Sequence, residues 1–528
     1  MNCLYGVDKN PLAVELAKLS LWLESHSEGL PLTFLNHRLI CGDSITGARY
    51  ENLLTRPGTG QPVSSLFLQR LVPLLEEVLN EALVHVHALE ATIGKNVVDI
   101  EHKRTAKERL DRALKPFKLL ARAWTGGAML GPDGSDDHGY EELLKAVAER
   151  HDTEALVANR PTLARMVETG QGAFAYGLEL PEVFFPDGTL QQSYGFDAVI
   201  GNPPWDEIQP LAKEFFAAFD LSILDAPTKL ERTAIEERLL KNPEIKHAHD
   251  NYMRQFSQAK QTIGKCYSHV NRETGGRPSG ASMDIWQVFA ERGLQLLRHG
   301  GRVGFILPSA FHANQSATGI RELYLHQASL QCCYSFENRN KLFEIDSRFK
   351  FAAIVAQRND DGTTEFPCAF YLHDLQWLFE DNAPLRYTLA LIEKTGGEYL
   401  SFLELRSPDD AKIANSCFKN GEAISQVLPR SQIRLGREMH MTDDAWRFTS
   451  TSKIVKPDED IWDQSFVHRL LHQGHLVLHE GKTFHQYNDH WDQPRYLVEV
   501  TKIKDRPAWL QVARHYRLAF RDIASVHG

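Results

Sequence analysis

The segment Gly195-Phe196-Asp197-Ala198-Val199-Ile200-Gly201-Asn202-Pro203-Pro204-Trp205 decides how the chain is read. Phe196 to Ile200 is an apolar run suited to a buried strand, and it ends abruptly at Gly-Asn-Pro-Pro-Trp. Neither proline offers an N–H, and each restricts the residue before it, so strand pairing stops here. The result is a stiff loop at the carboxyl end of a strand, where open α/β sheets place their ligands. Asn202 presents an amide carbonyl, Pro203 a main-chain carbonyl and Trp205 a flat aromatic face. Two acceptors beside a stacking plane suit an exocyclic amino group on a flat ring. A purely structural Pro-Pro turn is the plainer alternative.

Outward from this loop, two further strand tips carry acids. Leu4-Tyr5-Gly6-Val7-Asp8 reads as a short buried strand, with Asn10 as helix N-cap and Pro11 as the first helical residue. Leu12, Leu16, Leu19 and Leu23, with Val14 and Trp22, give that helix a broad apolar face to about Glu24. An acid at a strand tip just before a helix is where nucleotide-type cofactors have their ribose hydroxyls bound, although a lone strand-end Asp is more often only a cap. Leu39-Ile40-Cys41-Gly42-Asp43-Ser44 repeats the arrangement. Strand–Asp8–helix, strand–Asp43 and strand–Asn202, in that order, are more specific than any one of them.

This order of motifs resembles the amino-methyltransferases that carry Asn-Pro-Pro-aromatic, chiefly the DNA adenine-N6 enzymes. The run Tyr5-Gly6-Val7-Asp8-Lys9-Asn10-Pro11-Leu12-Ala13-Val14-Glu15-Leu16-Ala17-Lys18 is similar to their large multidomain members. These include fused restriction–methylation enzymes of the Type IIG kind and phage-defence methyltransferases of the DISARM and BREX kind. The resemblance implies an α/β, Rossmann-like S-adenosylmethionine-dependent methyltransferase sheet with helical insertions, followed by a mixed α/β target-recognition region. It assigns Asp8, Lys9, Asp43 and Ser44 to the cofactor, Asp43 accepting from the cofactor's adenine amino group. It assigns Asn202, Pro203, Pro204 and Trp205 to catalysis, and Trp205 with Phe343 to the faces of a flipped base. The implied partner is double-stranded DNA, together with other restriction or defence subunits. One family feature is missing: a Gly-rich loop wrapping the methionine end of the cofactor. By analogy with dinucleotide folds it should precede Asp8 by at least about 20 residues, and only seven precede it. The family also continues past Arg517-Leu518-Ala519-Phe520-Arg521-Asp522-Ile523-Ala524-Ser525. The chain therefore reads as truncated at both ends.

At 528 residues the polypeptide is too long for one core. Residues 1–360 read as the methyltransferase domain, with helical insertions at about 55–175 and 206–280, and 361–528 as a partial target-recognition, DNA-binding region. In the first insertion Leu68, Leu71, Leu75 and Val78 share one face, and Leu110, Leu114, Phe117 and Leu120 another. Gly126 to Tyr140 reads as a surface loop. Ser282 is the expected cap of a helix ending at Gly300-Gly301; Arg302 to Pro308 reads as a strand; Leu330–Glu337 and Phe349–Gln357 read as a closing strand pair. Asp374 to Gly397 reads as helical. Glu480-Gly481-Lys482-Thr483-Phe484-His485-Gln486-Tyr487 resembles a target-recognition motif, in which Phe484, His485 and Tyr487 would stack on bases or sugars.

The net charge of −10 is unfavourable for a DNA binder, but it is uneven. Residues 401–528 carry 18 Lys+Arg against 17 Asp+Glu, and residues 1–400 carry 41 against 52. A basic surface towards the C-terminus therefore remains compatible with the composition. The seven cysteines show no C-x-x-C pairing, as in a reduced, cytoplasmic (here nucleoid-associated) protein without structural zinc. His468, His472, His475 and His479 have no accompanying Cys or acidic cluster, so no metal is expected. No apolar run approaches the roughly 20 residues of a membrane span. Three other activities share parts of this pattern: cytosine-N4 methylation, methylation of a protein glutamine or an RNA base, and non-catalytic DNA recognition.

Overall fold

Strand β1 is Gly6–Asp8, β2 Leu39–Cys41 and β3 Phe196–Gly201. A minor hairpin, β4 (Glu273–Thr274) and β5 (Arg277–Pro278), precedes the long strands β6 (Leu297–Pro308), β7 (Ala328–Glu337) and β8 (Lys350–Arg358). β9 (Glu365–Leu372) and β10 (Leu385–Thr388) follow. In this computed structural model, all residues are described except 1–2, 25–34, 36, 91–96, 191–193, 227, 271–272, 275–276, 279–282, 423, 430–437, 486–487, 514, 516–518 and 520–528. The chain divides into two units, Met1–Asn420 and Gly421–Gly528.

The first unit contains a six-stranded mixed sheet in the order β10-β9-β7-β8-β6-β3. β3 is parallel to β6 and β7 to β9, while β8 runs antiparallel to both β6 and β7. This is the Rossmann-like α/β arrangement expected, with helices inserted between strands. β1 and β2 form a separate parallel pair, Asp8 opposite Cys41. The rings of Tyr5 and Phe196 lie 5.6 Å apart, so β1 and β3 begin side by side.

The surroundings of β3 and of the first helix differ from expectation. β3 is not buried: Ile200 is 86% exposed. The first helix, Pro11–Glu24, starts as expected, with Leu12 N–H donating to Asn10 Oδ1 at 2.9 Å. Yet Leu12, Leu16, Leu19 and Leu23 are exposed, and Val14 is the buried contact of the helix. Among the described residues, no strand pairs with the outer edge of β1 or of β3.

Gly126 and Gly127 also depart from the expected loop, because the helix Val97–Leu130 runs through them and both are buried. A Cβ at Gly126 would stand 1.7 Å from the Met166 carbonyl oxygen, and one at Gly127 would meet Met166 and Pro57. The two glycines let this helix lie against Pro161–Thr169, and the true connection is only 131–136. Leu71, Leu75, Leu110, Leu114, Phe117 and Leu120 pack there into a helical core of their own.

Further along, the helix that begins after Asp284 ends at Gln295, and Gly300-Gly301 lies inside β6 rather than stopping a helix. Gly300 takes φ +78°, and a Cβ on Gly301 would stand 2.7 Å from Phe196 O, so the pair makes a bend where β3 presses close. Ser282 lies outside the described residues. The stretch Asp374 to Gly397 is not one helix: Pro384 interrupts it, and β10 places Tyr387 in the core, its hydroxyl donating to Leu403 O at 2.6 Å.

The second unit is a three-stranded antiparallel sheet in the order β11-β13-β12 (Phe448–Ser450, Tyr496–Glu499, His475–Leu478) beside the helix Gln464–His472. Ile461, Phe466, Leu470 and Leu497 form its core. Arg447 is buried there and paired with Asp444 and Asp505 at 3.1 and 2.7 Å. Phe484 and His485 are described, the His485 ring lying 4.6 Å from Trp491, whereas Tyr487 and most of 517–525 lie outside the described residues. Among the described residues, no helix is long and apolar enough to cross a membrane, and no group of three or more His, Cys, Asp or Glu could hold a metal.

Candidate active site

The proline pair makes the end of β3 a rigid platform. Pro203 is buried, Asn202 and Pro204 are exposed, and Trp205 is half-buried. Among the described residues the Asn202 side chain has no hydrogen-bond partner, so its amide is available to a ligand. The Trp205 indole N–H donates to the Ile306 carbonyl at 3.4 Å, which fixes the ring against β6. That ring packs on aromatic neighbours: Phe351 at 6.3 Å, near parallel, and Phe343 at 6.3 Å, edge-on. Trp205 and Phe343 are thus brought together, but within an aromatic cluster that also includes Phe336 and Trp377.

The loop bearing Phe343 owes its shape to a residue that the sequence reading passed over. Asn338 is fully buried, and its amide N–H donates to the carbonyls of Phe343 and Ile345 at 2.9 and 3.1 Å, while its Oδ1 accepts from Phe343 N–H at 2.9 Å. A charged group adjoins this loop at the end of β7. Burial alone would raise the pKa of Glu337. The hydrogen bond from His373, with Arg339 and Lys350 nearby, outweighs burial and holds it below the ordinary carboxylate value.

The second group of candidates sits at the carboxyl ends of β1 and β2. Asp8 is exposed; its Oδ1 accepts from Asn10 N–H at 2.7 Å and its carbonyl from Gly42 N–H at 2.9 Å. Asp43 Oδ1 accepts from Ile45 N–H at 3.1 Å, and its Oδ2 faces Lys9 Nζ at 3.5 Å. Ser44 is engaged within the protein: its carbonyl accepts from Arg292 Nε at 3.1 Å. Burial raises the Tyr176 pKa, against the opposing influence of Arg292 and of the Ser44 hydrogen bond. Arg292 was not singled out from sequence, although a signal existed. With Glu291 it falls three to four residues after Val288, on the buried face of the helix Ile285–Gln295. Among the described residues, no hydrogen bond or ion pair joins the Asp8–Asp43 group to the Asn202–Trp205 group.

The unit thus combines a Rossmann-like sheet whose strand β3 runs into Asn-Pro-Pro-Trp with a separate parallel pair, β1–β2, whose ends lead into Asp8 and Asp43. A model of the Eco57I restriction-modification methylase family matches residues 2–226 and 252–343, more than half the chain, and the protein belongs to that family. No curated protein matches it significantly. Among solved structures it is similar to a chain from a study of type I restriction-modification complex assembly (13% identity, 49% of this chain, 50% of that one, TM-score 0.23). It is also similar to a chain of a DrdV–DNA complex (15%, 37% and 18%, TM-score 0.23). A third resembles it at 12% identity, a structure described as a class I S-adenosylmethionine-dependent methyltransferase of Listeria monocytogenes (68% and 99%, TM-score 0.17). The chain spans half or less of the first two of these.

S-adenosylmethionine is the cofactor of this methylase family. The donor set fits its adenosine end. Asp8 at the end of β1 and Asp43, two residues past β2, offer carboxylate acceptors for hydroxyl and amino groups, and Asp8 is open to solvent.

Proposed function

We propose that the chain is the core of a site-specific DNA methyltransferase that methylates adenine N6 within a restriction-modification or phage-defence system, of the Type IIG, DISARM or BREX kind. Residues 1–360 supply the methyl-transfer machinery and 361–528 part of the target-recognition region, with double-stranded DNA and further system subunits as partners. The observation that carries this reading is the exposed, unpartnered Asn202 amide on its Pro-Pro platform beside Trp205.

Adenine N6 is a poor nucleophile because its lone pair is delocalised into the ring. Asn202 Oδ1 and the Pro203 carbonyl accept hydrogen bonds from the amino group, drawing the nitrogen towards tetrahedral geometry and localising the pair. Asp8, Lys9, Asp43 and Ser44 hold the cofactor, which supplies an electrophilic methyl group when bound. The target base leaves the duplex at a cost of a few kcal/mol. Trp205 and Phe343 then bound the base, stacking being worth about 1–3 kcal/mol.

In the complete enzyme, Asn202→Ala should lower kcat at least about a hundredfold, the scale of a lost transition-state hydrogen-bond partner, with cofactor affinity retained. Near wild-type methylation by the variant would refute the assignment. Nucleoside analysis of methylated DNA should give N6-methyladenine; N4-methylcytosine would redirect the reading to the cytosine enzymes. A second reading, a DNA-recognition chain that becomes catalytic only with another polypeptide, draws on the separation of β1–β2 from the six-stranded sheet.

A further inference from the structure

We propose that Arg292 is a positioning residue for the cofactor site, setting Asp43 through the main chain that follows it. The inference rests on the assignment of Asp8 and Asp43 to the adenosine end of the cofactor.

Arg292 is 3% exposed on the helix Ile285–Gln295 and makes no ion pair among the described residues. Its guanidinium is satisfied by the segment leaving β2: Nε donates to Ser44 O at 3.1 Å and Nη2 to Gly47 O at 3.2 Å. Nη1 reaches Gln295 Oε1 at 3.4 Å, and the group lies 5.1 Å from the Tyr176 ring centre. Burying a charge away from carboxylates is costly unless polar groups and an aromatic face replace water. Here the replacements are the carbonyls of Ser44 and Gly47, the Gln295 side chain and the Tyr176 ring. Tyr267, fully buried, donates its hydroxyl to Ile45 O at 2.6 Å in the same segment.

The hold is transmitted directly to the carboxylate. Ile45, whose carbonyl Tyr267 grips, gives its N–H to Asp43 Oδ1. The segment has little room to adjust, because a Cβ on Gly47 would stand 1.8 Å from Phe174 O. Since β1–β2 shares no strand pairing with the six-stranded sheet, the Arg292 and Tyr267 bonds tie Asp43 to the part of the fold that carries Asn202. A lysine keeps the charge but is a point donor, unable to span Ser44 O and Gly47 O as the guanidinium fork does.

The test is direct binding of 5′-methylthioadenosine, which carries adenine and ribose without the amino-acid end, to the full 528-residue chain well below its melting temperature. Arg292→Lys is expected to weaken binding tenfold or more. Tyr267→Phe, which removes one hydroxyl and leaves the ring in the core, should weaken it three- to tenfold with little change in Tm. Asp43→Ala serves as the reference for the site itself. If both positioning variants bind like the parent while Asp43→Ala loses affinity, the inference is overturned and the site assignment stands. If Asp43→Ala binds like the parent, or the parent does not bind, the site assignment falls and the inference falls with it. In the active complete enzyme, a positioning role appears as a raised KM for S-adenosylmethionine with kcat largely kept at saturation. A fall in kcat alone would overturn it.

Discussion

Trp205 shows how one side chain can serve the fold and the site together. Its indole N–H is bound to the Ile306 carbonyl and its ring packs on Phe351 and Phe343, yet the residue stays half-exposed next to Asn202. Truncation would therefore remove core packing as well as a stacking face, and the two losses must be separated. Trp205→Ala should weaken binding to DNA bearing the methylation site by about 1–3 kcal/mol, the value of one base–aromatic stack. Trp205→Phe should keep most of the affinity, since a six-membered ring still stacks. Phe351→Leu calibrates the packing loss, because Phe351 is buried behind the indole. If Trp205→Phe loses as much DNA affinity as Trp205→Ala, or if Phe351→Leu reproduces the effect, then Trp205 acts through packing and the base-stacking role is wrong.

The close pairing of the helices Val97–Leu130 and Pro161–Thr169 depends on glycine at both faces: a Cβ on Gly126 would meet Met166 O at 1.7 Å, and one on Gly170 would meet Arg122 O at 2.0 Å. In an exposed helix interior Gly→Ala usually stabilises by roughly 0.5–1 kcal/mol. Here the added methyl strikes a neighbouring backbone, and overpacking typically costs about 1–3 kcal/mol. Gly126→Ala should therefore lower the denaturation midpoint of the 528-residue chain, measured by circular dichroism. An unchanged or raised midpoint would show that the helices separate cheaply. The same element explains part of what sequence could convey. Periodic leucines revealed the helices, but Gly126-Gly127 was indistinguishable from a turn because close packing leaves no mark on the residue beyond the missing side chain. Strand tips with Asp8, Asp43 and Asn202 were legible because local chemistry fixes them. The roles of Arg292 and Asn338 were not, because each depends on carbonyls brought near by the fold.

Across the whole first unit, the parallel pair β1–β2 and the six-stranded sheet present unpaired edges at β1 and β3, which begin side by side. Ile200 on β3 is exposed, as are Leu12, Leu16, Leu19 and Leu23 on the first helix. Surfaces of this kind attract another strand. On the proposed assignment of Asp8 and Asp43 to the adenosine end of the cofactor, the residues assigned leave its amino-acid and sulfonium end without a partner. A hydrogen bond to a charged group contributes roughly 1.5–3 kcal/mol. Two or three such bonds would amount to a difference of orders of magnitude in Kd. We therefore expect residues 1–528 to bind S-adenosylmethionine weakly, no more tightly than 5′-methylthioadenosine, and to transfer little or no methyl group. Supplying a polypeptide with a strand and a Gly-rich loop as a separate chain should tighten S-adenosylmethionine far more than methylthioadenosine. Calorimetry on both ligands, with and without that segment, decides the matter. Micromolar S-adenosylmethionine binding by the isolated chain, accompanied by turnover on DNA, would show that its own residues already close the site.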